Sequence, residues 1–386
     1  MLFESWWLLA IPVLFGLGWM AARIDLTELL HESKQLPRSY FNGLNFLLND
    51  QADRAIEAFI EVVKLNPETV ELHFALGSLF RRRGETERAI RIHRNLLERP
   101  DLPLAFRDQA MFCLAQDYQK AGLLDRAESA FKQLEKTPYS VRAQQALSEI
   151  YQIESDWPRA IAAAQTSLAS PAESASAAQQ LRRNMAHYWC EIARNGIDQA
   201  DWTGASAALA QARLADPDLL RIAQLEIALA IGCQEIANAL ALITQIQRSA
   251  PSFAPLLAPL LLKAQPDHAE RNASTLAAWF DQAPAESLAI KALAQWQLAG
   301  QPNTQLAFAQ TALSRHPSLA LSAALLDQKI ALNPSDTSLD TLSKPIKAIV
   351  ARERRYECSH CGFRTTQFYW QCPGCKKWET LPYAGL

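Results

Sequence analysis

The sequence predicts an all-α protein built mainly from repeated helical hairpins, and three observations support this prediction. First, a hairpin pattern returns along the chain. In its clearest copy Leu76, Gly77 and Phe80 share one helical face, Gly84 ends that helix, and a second amphipathic stretch follows. Second, small residues recur where paired helices would cross, and prolines recur where units would close. Third, no alternation of Val, Ile and Thr is long enough to predict a sheet.

The recurring small residues set the period of the repeat. The alanines at the helix crossings, called here the anchor alanines, are Ala55, Ala89, Ala127, Ala160, Ala205 and Ala239. The first and last intervals are 34 residues, which is the period of the tetratricopeptide repeat. One hairpin cannot bury its apolar face alone, so the units should stack into a solenoid. We predict this array over residues 36–333, with about eight or nine units and a lengthened first helix around residues 172–195.

The inner face of such a solenoid is its usual binding surface. Polar residues of the first helices, such as Arg81, Gln116 and Gln144, could meet a partner there. Most apolar and aromatic positions of the array are better explained as core packing. The run Arg81 to Arg83 is more often a solvated face than a site, and contact with anionic lipid headgroups is the minor alternative.

The beginning of the chain predicts a single transmembrane helix over residues 1–23. Residues 5–22 contain no charged side chain, and a helix of that length spans about 27 Å, just enough for a bilayer core. Tryptophans stand at both ends of the run, at Trp6, Trp7 and Trp19. A cleaved signal peptide would need a positive start, whereas Glu4 is the only charge before the run. A buried soluble helix rarely carries tryptophans at both ends.

Basic residues follow this segment and none precedes it, as Arg23, Lys34 and Arg38 show. The bulk of the chain should therefore face the cytoplasm, with the N-terminus on the periplasmic side.

Net charge is −2, which gives no general reason to expect a nucleic-acid partner. Of the seven cysteines, Cys113, Cys190 and Cys233 stand singly in helical patterns. No disulfide framework is indicated, which agrees with a reducing compartment.

Turn-forming residues over 334–345 predict a linker, and residues 346–386 predict a small metal-binding ribbon. The ribbon holds two C-x₂-C motifs ten residues apart, formed by Cys358, Cys361, Cys372 and Cys375. Four thiolates at this spacing can close a tetrahedron around one structural metal ion, zinc or iron. His360 could replace one thiolate, but the complete set of four cysteines makes this the weaker alternative. With every position filled by protein, catalysis by this metal is not expected.

No other catalytic pattern stands out in the sequence. It contains no glycine-rich phosphate loop, no H-E-x-x-H motif and no nucleophile elbow. His268 and Glu270 faintly match part of the zinc deaminase pattern. They lie about a hundred residues from the second C-x₂-C motif and in a different predicted domain, so we reject that match. The sequence therefore predicts a binding protein that is not an enzyme, with no catalytic residues and no organic cofactor.

The order of these parts resembles the lipopolysaccharide assembly protein B family, formerly called YciM. The resemblance covers the whole chain. It rests on the apolar N-terminal segment, on the repeat units that close at Pro67, Pro100 and Pro138, and on the ribbon C-S-H-C-G-F and W-Q-C-P-G-C-K-K-W. It implies a tetratricopeptide solenoid with a rubredoxin-like ribbon, whose metal ligands map onto the four clustered cysteines. The Ala-rich units from Ala205 onward depart from the repeat consensus, so no partner-contact residues are transferred.

The resemblance also implies a function. Members of this family are expected in the bacterial inner membrane, facing the cytoplasm, as adaptors between the FtsH protease and the lipid A pathway deacetylase. The adaptor promotes degradation of this committed-step enzyme and so limits lipopolysaccharide synthesis. Other lipopolysaccharide assembly proteins, including a membrane sensor that opposes the adaptor, are implied partners, and a homo-oligomer remains open.

Two alternatives come from other classes of protein. The ribbon region is rich in Lys and Arg and contains aromatic residues, which is a pattern that can bind RNA. A rubredoxin-like iron site could instead transfer electrons. The basic positions are Lys344, Lys347, Arg352, Arg354, Arg355, Arg364, Lys376 and Lys377.

Overall fold

The computed structural model describes residues 70–169, 175–332, 337–352 and 356–383, together with scattered residues before Val70. Within this part of the chain, sixteen α-helices pair into eight successive hairpins. The helices are α1 Val70–Arg83, α2 Thr86–Leu97, α3 Leu104–Lys120, α4 Leu124–Lys132, α5 Ser140–Glu154, α6 Trp157–Leu168, α7 Ala175–Asp198, α8 Trp202–Ala215, α9 Leu220–Gly232, α10 Ile236–Ser249, α11 Ala254–Ala264, α12 Ala269–Gln282, α13 Glu286–Leu298, α14 Pro302–Arg315, α15 Leu319–Leu332 and α16 Thr337–Val350. A 3₁₀ turn, Pro251–Phe253, precedes α11.

The first described hairpin shows why the repeat needs small residues. A Cβ atom added at Gly77 would lie 2.5 Å from the His93 ring, so only glycine lets α1 and α2 approach this closely. Gly84 separates the two helices with a φ of +86°, a conformation that glycine adopts without strain. The anchor alanines Ala89, Ala127 and Ala160 are fully buried. The predicted helix-crossing positions are thereby confirmed for these hairpins.

The chain divides into two compact units, residues 1–143 and residues 144–386. In the first unit, buried Leu72, Leu76 and Phe80 pack with Ala89 in one apolar cluster. In the second unit, the largest cluster runs from Ile227 to Leu321 and centres on the aromatic rings of Phe253, Phe280 and Trp296. The ribbon belongs to this second unit.

The ribbon begins with two short antiparallel strands, β1 Tyr356–Glu357 and β2 Arg364–Thr365. Tyr356 pairs with Thr365, and Glu357 pairs with Arg364. An isolated bridge between Gln371 and Trp378 encloses the second C-x₂-C motif in the same way that the strands enclose the first. The ribbon has little apolar core of its own beyond the buried Cys358, Cys372 and Leu381.

Two features of the predicted domain organisation can be compared with the structure. The lengthened first helix is confirmed as α7, which has 24 residues. The linker predicted over residues 334–345 differs, because α16 is helical from Thr337 onward despite Pro345 in its interior. This helix is held against α15, where the Ser343 hydroxyl donates to Asp327 at 3.1 Å and Lys347 pairs with the same carboxylate at 2.7 Å. The turn-forming composition did not reveal these contacts.

The predicted membrane helix over residues 1–23 lies outside the described residues, apart from Phe15 and Trp19. Among the helices that the structure describes, none combines the length and the apolar character needed to cross a bilayer.

Candidate metal centre and its seat on the repeats

The four cysteines of the ribbon converge on one point. Their Sγ atoms all lie within 4.8 Å of one another. Cys358 and Cys375 are 3.8 Å apart at sulfur, and Cys361 and Cys372 are 3.7 Å apart. A tetrahedral metal with metal–sulfur bonds of about 2.3 Å requires sulfur–sulfur edges of about 3.8 Å. The donor set and its spacing therefore fit one zinc or iron ion, held by these four residues.

Each C-x₂-C motif is a tight turn that its backbone closes. The N–H of Gly362 donates to the carbonyl of Cys358, and the N–H of Lys376 donates to that of Cys372, both at 2.9 Å. Gly362 and Lys376 both have φ near the left-handed region, at 71° and 59°. Burial opposes ionisation of Cys358, but hydrogen bonds that include the backbone N–H groups of Cys361 and His360 lower the pKa of its thiol to about 6. The first turn thus favours the thiolate of Cys358, whereas burial raises the pKa of the Cys375 thiol to about 12.

This donor set leaves no coordination position open. Four protein thiolates complete a tetrahedron, so a bound metal would cross-link the two turns and supply folding free energy. His360 is exposed, and it is not among the residues that converge on the site.

The ribbon packs against the helices of the repeats, and this contact surface is called here the seat. A bidentate ion pair forms its polar part. Glu379 accepts hydrogen bonds from Nε and Nη2 of Arg183 on α7, at 2.5 and 2.8 Å. Arg183 also binds Asp216 at 2.9 Å. Burial alone would raise the pKa of Glu379, but hydrogen bonds and charge from His187 and Arg183 lower it to about 2. The carboxylate is therefore ionised at neutral pH, and the contact joins segments 196 residues apart.

Two tryptophans of the ribbon provide the apolar part of the seat. The Trp378 indole stacks on His187 with ring centres 4.5 Å apart and planes 6° apart. Its Nε1 donates to the side chain of Gln152 on α5 at 3.0 Å, and the Trp370 Nε1 donates to that of Gln224 on α9 at 2.9 Å. Both indole N–H groups are therefore satisfied where the rings leave water.

A buried arginine lies beneath these rings. Arg221 of α9 is 2 % exposed, and its guanidinium lies 5.3 Å from the Trp378 ring centre and 5.8 Å from that of Trp370. It pairs with Glu191 at 2.5 Å. Burial is the main cause that lowers the pKa of the neighbouring His187, and the charge of Arg221 adds to it. A buried charge is costly unless it is paired, and Glu191 provides the partner for Arg221. The two indole rings cover the guanidinium from the side of the ribbon.

Comparison with known proteins identifies the ribbon and one of the repeats. A family profile described as a rubredoxin metal binding domain matches residues 356–382, and a tetratricopeptide repeat profile matches residues 72–104. Lipopolysaccharide assembly protein B of Escherichia coli K12 is 32% identical over 98% of both chains. The chain belongs to the lipopolysaccharide assembly protein B family. The protein of the same name from Haemophilus influenzae is 24% identical over 97% of this chain and 96% of its own.

Among solved structures, a tetratricopeptide repeat protein from Parabacteroides merdae matches at a TM-score of 0.36. It is 12% identical, and the match covers 76% of this chain and 100% of that one.

In this family member, the seat of the ribbon was not found from the sequence. The seat residues are Gln152, Arg183, His187, Arg221 and Gln224. They come from the first helices of three successive hairpins. One signal was available, because Arg183, His187 and Glu191 follow one another at four-residue spacing and form a polar stripe on α7. Such a stripe inside a repeat array indicates a buried polar contact.

The residues singled out in the sequence differ in their contacts and in their exposure to solvent. Arg81 is not a free surface residue, because it donates to the Asp117 carboxylate and to the Cys113 carbonyl. Gln116 and Gln144 are half-buried. Of the ribbon aromatics, Trp370 and Trp378 pack on the repeats. Phe363 and Tyr369 are exposed.

The basic character of the ribbon region is partly neutralised in this family member. Lys347 pairs with Asp327, and Arg364 pairs with Glu357. The two largest aromatic rings, Trp370 and Trp378, face the repeats and are therefore not available to stack on bases. These contacts weaken the RNA-binding alternative.

Proposed function

We propose that this family member is a membrane-anchored cytoplasmic adaptor that limits lipopolysaccharide synthesis. It would bring the committed-step lipid A deacetylase to the FtsH protease for degradation. Membership of the lipopolysaccharide assembly protein B family supports the pathway. The observation that carries the adaptor role is the seated ribbon, since Arg183 and Glu379 join the metal module to a repeat scaffold. A scaffold of this kind acts by offering binding surfaces to other proteins, and this role requires no reaction centre.

The mechanism that we propose is effective concentration. The helix predicted over residues 1–23 would confine the scaffold to the inner membrane, where the protease is expected, with the N-terminus on the periplasmic side. Holding the deacetylase on the same scaffold makes its delivery an intramolecular step. Other lipopolysaccharide assembly proteins could then regulate delivery by competing for the scaffold.

The metal in this proposal has a structural role. Bound to Cys358, Cys361, Cys372 and Cys375, it would hold the ribbon folded, and the folded ribbon places Trp378 and Glu379 against the repeats. Without the metal, the ribbon has too little apolar core to remain folded. The proposal therefore predicts that metal loss and loss of regulated degradation occur together.

The test uses cells depleted of their own copy and complemented with the intact chain or a variant. The variants are a deletion of residues 1–22, Cys372→Ser, and the matched control Cys233→Ser, whose thiol is exposed and outside the cluster. The half-life of the deacetylase and its co-purification with FtsH are measured. The intact chain and the control should shorten the half-life, whereas the deletion and Cys372→Ser should not. Full activity of the deletion variant would contradict the anchoring argument.

Metal analysis separates this proposal from electron transfer. An iron–thiolate centre absorbs visible light and zinc does not. Colourless protein with one zinc ion per chain supports the structural role. A coloured, reversibly reducible iron centre whose loss leaves deacetylase turnover unchanged would favour the electron-transfer alternative.

A further inference from the structure

The seated ribbon shows which chemistry the inner face of these repeats recognises. Every polar contact of the seat comes from the first helix of a hairpin, namely α5, α7 and α9. These helices offer cations to a carboxylate, as Arg183 does to Glu379. They also offer an amide to a backbone carbonyl, since Gln152 Nε2 donates to the carbonyl of Lys376 at 2.7 Å. The ribbon therefore behaves as an internal ligand with an acidic group and a backbone carbonyl.

The repeat register places three residues of the seat at two defined positions. His187 and Arg221 each stand eighteen residues before the anchor alanine of their hairpin, Ala205 and Ala239. Gln152 stands eight residues before Ala160. Positions eighteen and eight residues before an anchor alanine therefore mark the face of the first helices that meets the ribbon.

The same register can be applied to the first unit. Glu71 and Gln109 stand eighteen residues before Ala89 and Ala127, and Arg81 and Gln119 stand eight residues before them. Arg82 and Lys120 come one residue later, eleven residues after Glu71 and Gln109. Residues eleven apart on a helix share one face. Arg82 and Lys120 are exposed, and neither has a charged partner within the described residues. The first unit thus carries two uncovered cations at equivalent places on α1 and α3.

A third cation extends this face. Arg142 is the residue eighteen before Ala160, and its guanidinium lies 4.7 Å from the ring centre of Phe112. Phe112 itself stacks on Tyr139, with ring centres 5.1 Å apart. Arg142 is exposed, so its charge remains available above an aromatic support. Two acids lie on this face, Glu71 and Asp117, but Asp117 is fully buried and already pairs with Arg81. Glu71 is exposed, so among the described residues of this face three exposed cations stand against one exposed acid, and the net exposed charge is positive.

We propose that the face formed by α1, α3 and the first turn of α5 binds an extended acidic segment of a partner protein, with its carboxylates on Arg82, Lys120 and Arg142. This inference rests on the proposed adaptor function and specifies the chemistry of the segment that the adaptor holds. The amide of Gln116, between the two helix ends, is available to the backbone of that segment. In the second unit the ribbon contacts the positions eighteen and eight residues before the anchor alanines, through His187, Arg221 and Gln152. The first unit is therefore where an outside segment can bind.

Fluorescence anisotropy on the full-length chain in detergent micelles tests the inference. The probe is a fluorescein-labelled synthetic peptide that contains one Trp and several Glu residues, compared with the same peptide carrying Gln in place of Glu. The Glu peptide should bind, and the double variant Arg82→Glu, Lys120→Glu should weaken it about tenfold or more. The matched control is Arg91→Glu, Arg126→Glu, which reverses two exposed cations on the second helices α2 and α4 and should change affinity less than twofold.

Several results would overturn the inference. One is equal binding of the Glu and Gln peptides, and another is an equal loss in the two double variants. A third is polyuridylate, or vesicles of anionic lipid, binding more tightly than the Glu peptide and depending on Arg82 and Lys120. The conservative variant Arg82→Lys, Lys120→Arg should retain binding, and circular dichroism should show that each variant is folded. If the charge-reversed variant still shortens the deacetylase half-life, this inference fails while the adaptor function stands.

Discussion

Raising the pH should weaken the first unit by deprotonating one buried imidazolium. His93 is fully buried, and its Nδ1 lies 2.5 Å from the Asp117 carboxylate. Burial favours the neutral ring, but the hydrogen bond and charge of Asp117, with a smaller contribution from Cys113, outweigh burial and raise the pKa of His93 from 6.5 to about 9. Arg81 binds the other carboxylate oxygen at 2.8 Å. The three side chains therefore form a buried ionic cluster between α1, α2 and α3.

The sign and size of the effect follow from linkage. A pKa that is higher in the folded chain means that protonation stabilises the fold. The stabilisation is complete below pH 6.5, and it is lost as the pH rises through about 9. At about 1.4 kcal/mol for each pH unit between the two pKa values, the loss is about 3 kcal/mol.

Two measurements on the full-length chain check this prediction. In NMR titrations of histidine-labelled protein, the His93 ring should titrate near pH 9. Urea unfolding followed by circular dichroism should show stability falling between neutral pH and pH 9. In Asp117→Asn, the pKa of His93 should drop because burial is then hardly opposed, and that pH dependence should disappear. A His93 midpoint at or below 6.5 would refute the reasoning, as would an unchanged pH dependence in Asp117→Asn.

Three further predictions concern packing and the seat. Gly77→Ala should destabilise the first unit by about 2 kcal/mol in urea unfolding, because its Cβ would overlap the buried His93 ring; a neutral result would mean that the helices can separate freely. Trp378→Ala should lower the free energy of unfolding of the second unit by about 3 to 5 kcal/mol, and Phe at this position should restore the stacking but not the bond to Gln152. Acidification from pH 4.5 towards 2 should release the ribbon, since the low pKa of Glu379 stabilises the seat only while the carboxylate is ionised; limited proteolysis of the ribbon at each pH measures this, and constant protection would contradict it.

Much of the fold could be predicted because its determinants are local. The 34-residue spacing of the anchor alanines, the break at Gly84 and the length of α7 are all readable along the chain. The helix α16 was missed because its determinants are not local. Pro345 and the surrounding turn residues argue against a helix, whereas the contacts of Ser343 and Lys347 with Asp327 hold it in place.

The candidate metal centre could be predicted for the same reason as the repeats. Cys358 and Cys361, like Cys372 and Cys375, are brought together by turns of a few residues, so their spacing alone indicates a tetrahedral site. The neighbouring Trp370 and Trp378 pack against helices of the repeats, which local sequence cannot specify.

By itself, the amino-acid sequence determined the helical repeat, the two C-x₂-C motifs whose four cysteines converge in the ribbon, and the family. Only the tertiary structure decided where the ribbon sits and which repeats remain uncovered. The physical reason is sequence separation, since the pair Arg183 and Glu379 joins positions 196 residues apart, and that pairing depends on the summed geometry of several stacked hairpins. The polar stripe on α7 indicates a buried polar contact. Only the folded chain shows that the partner in this contact is Glu379.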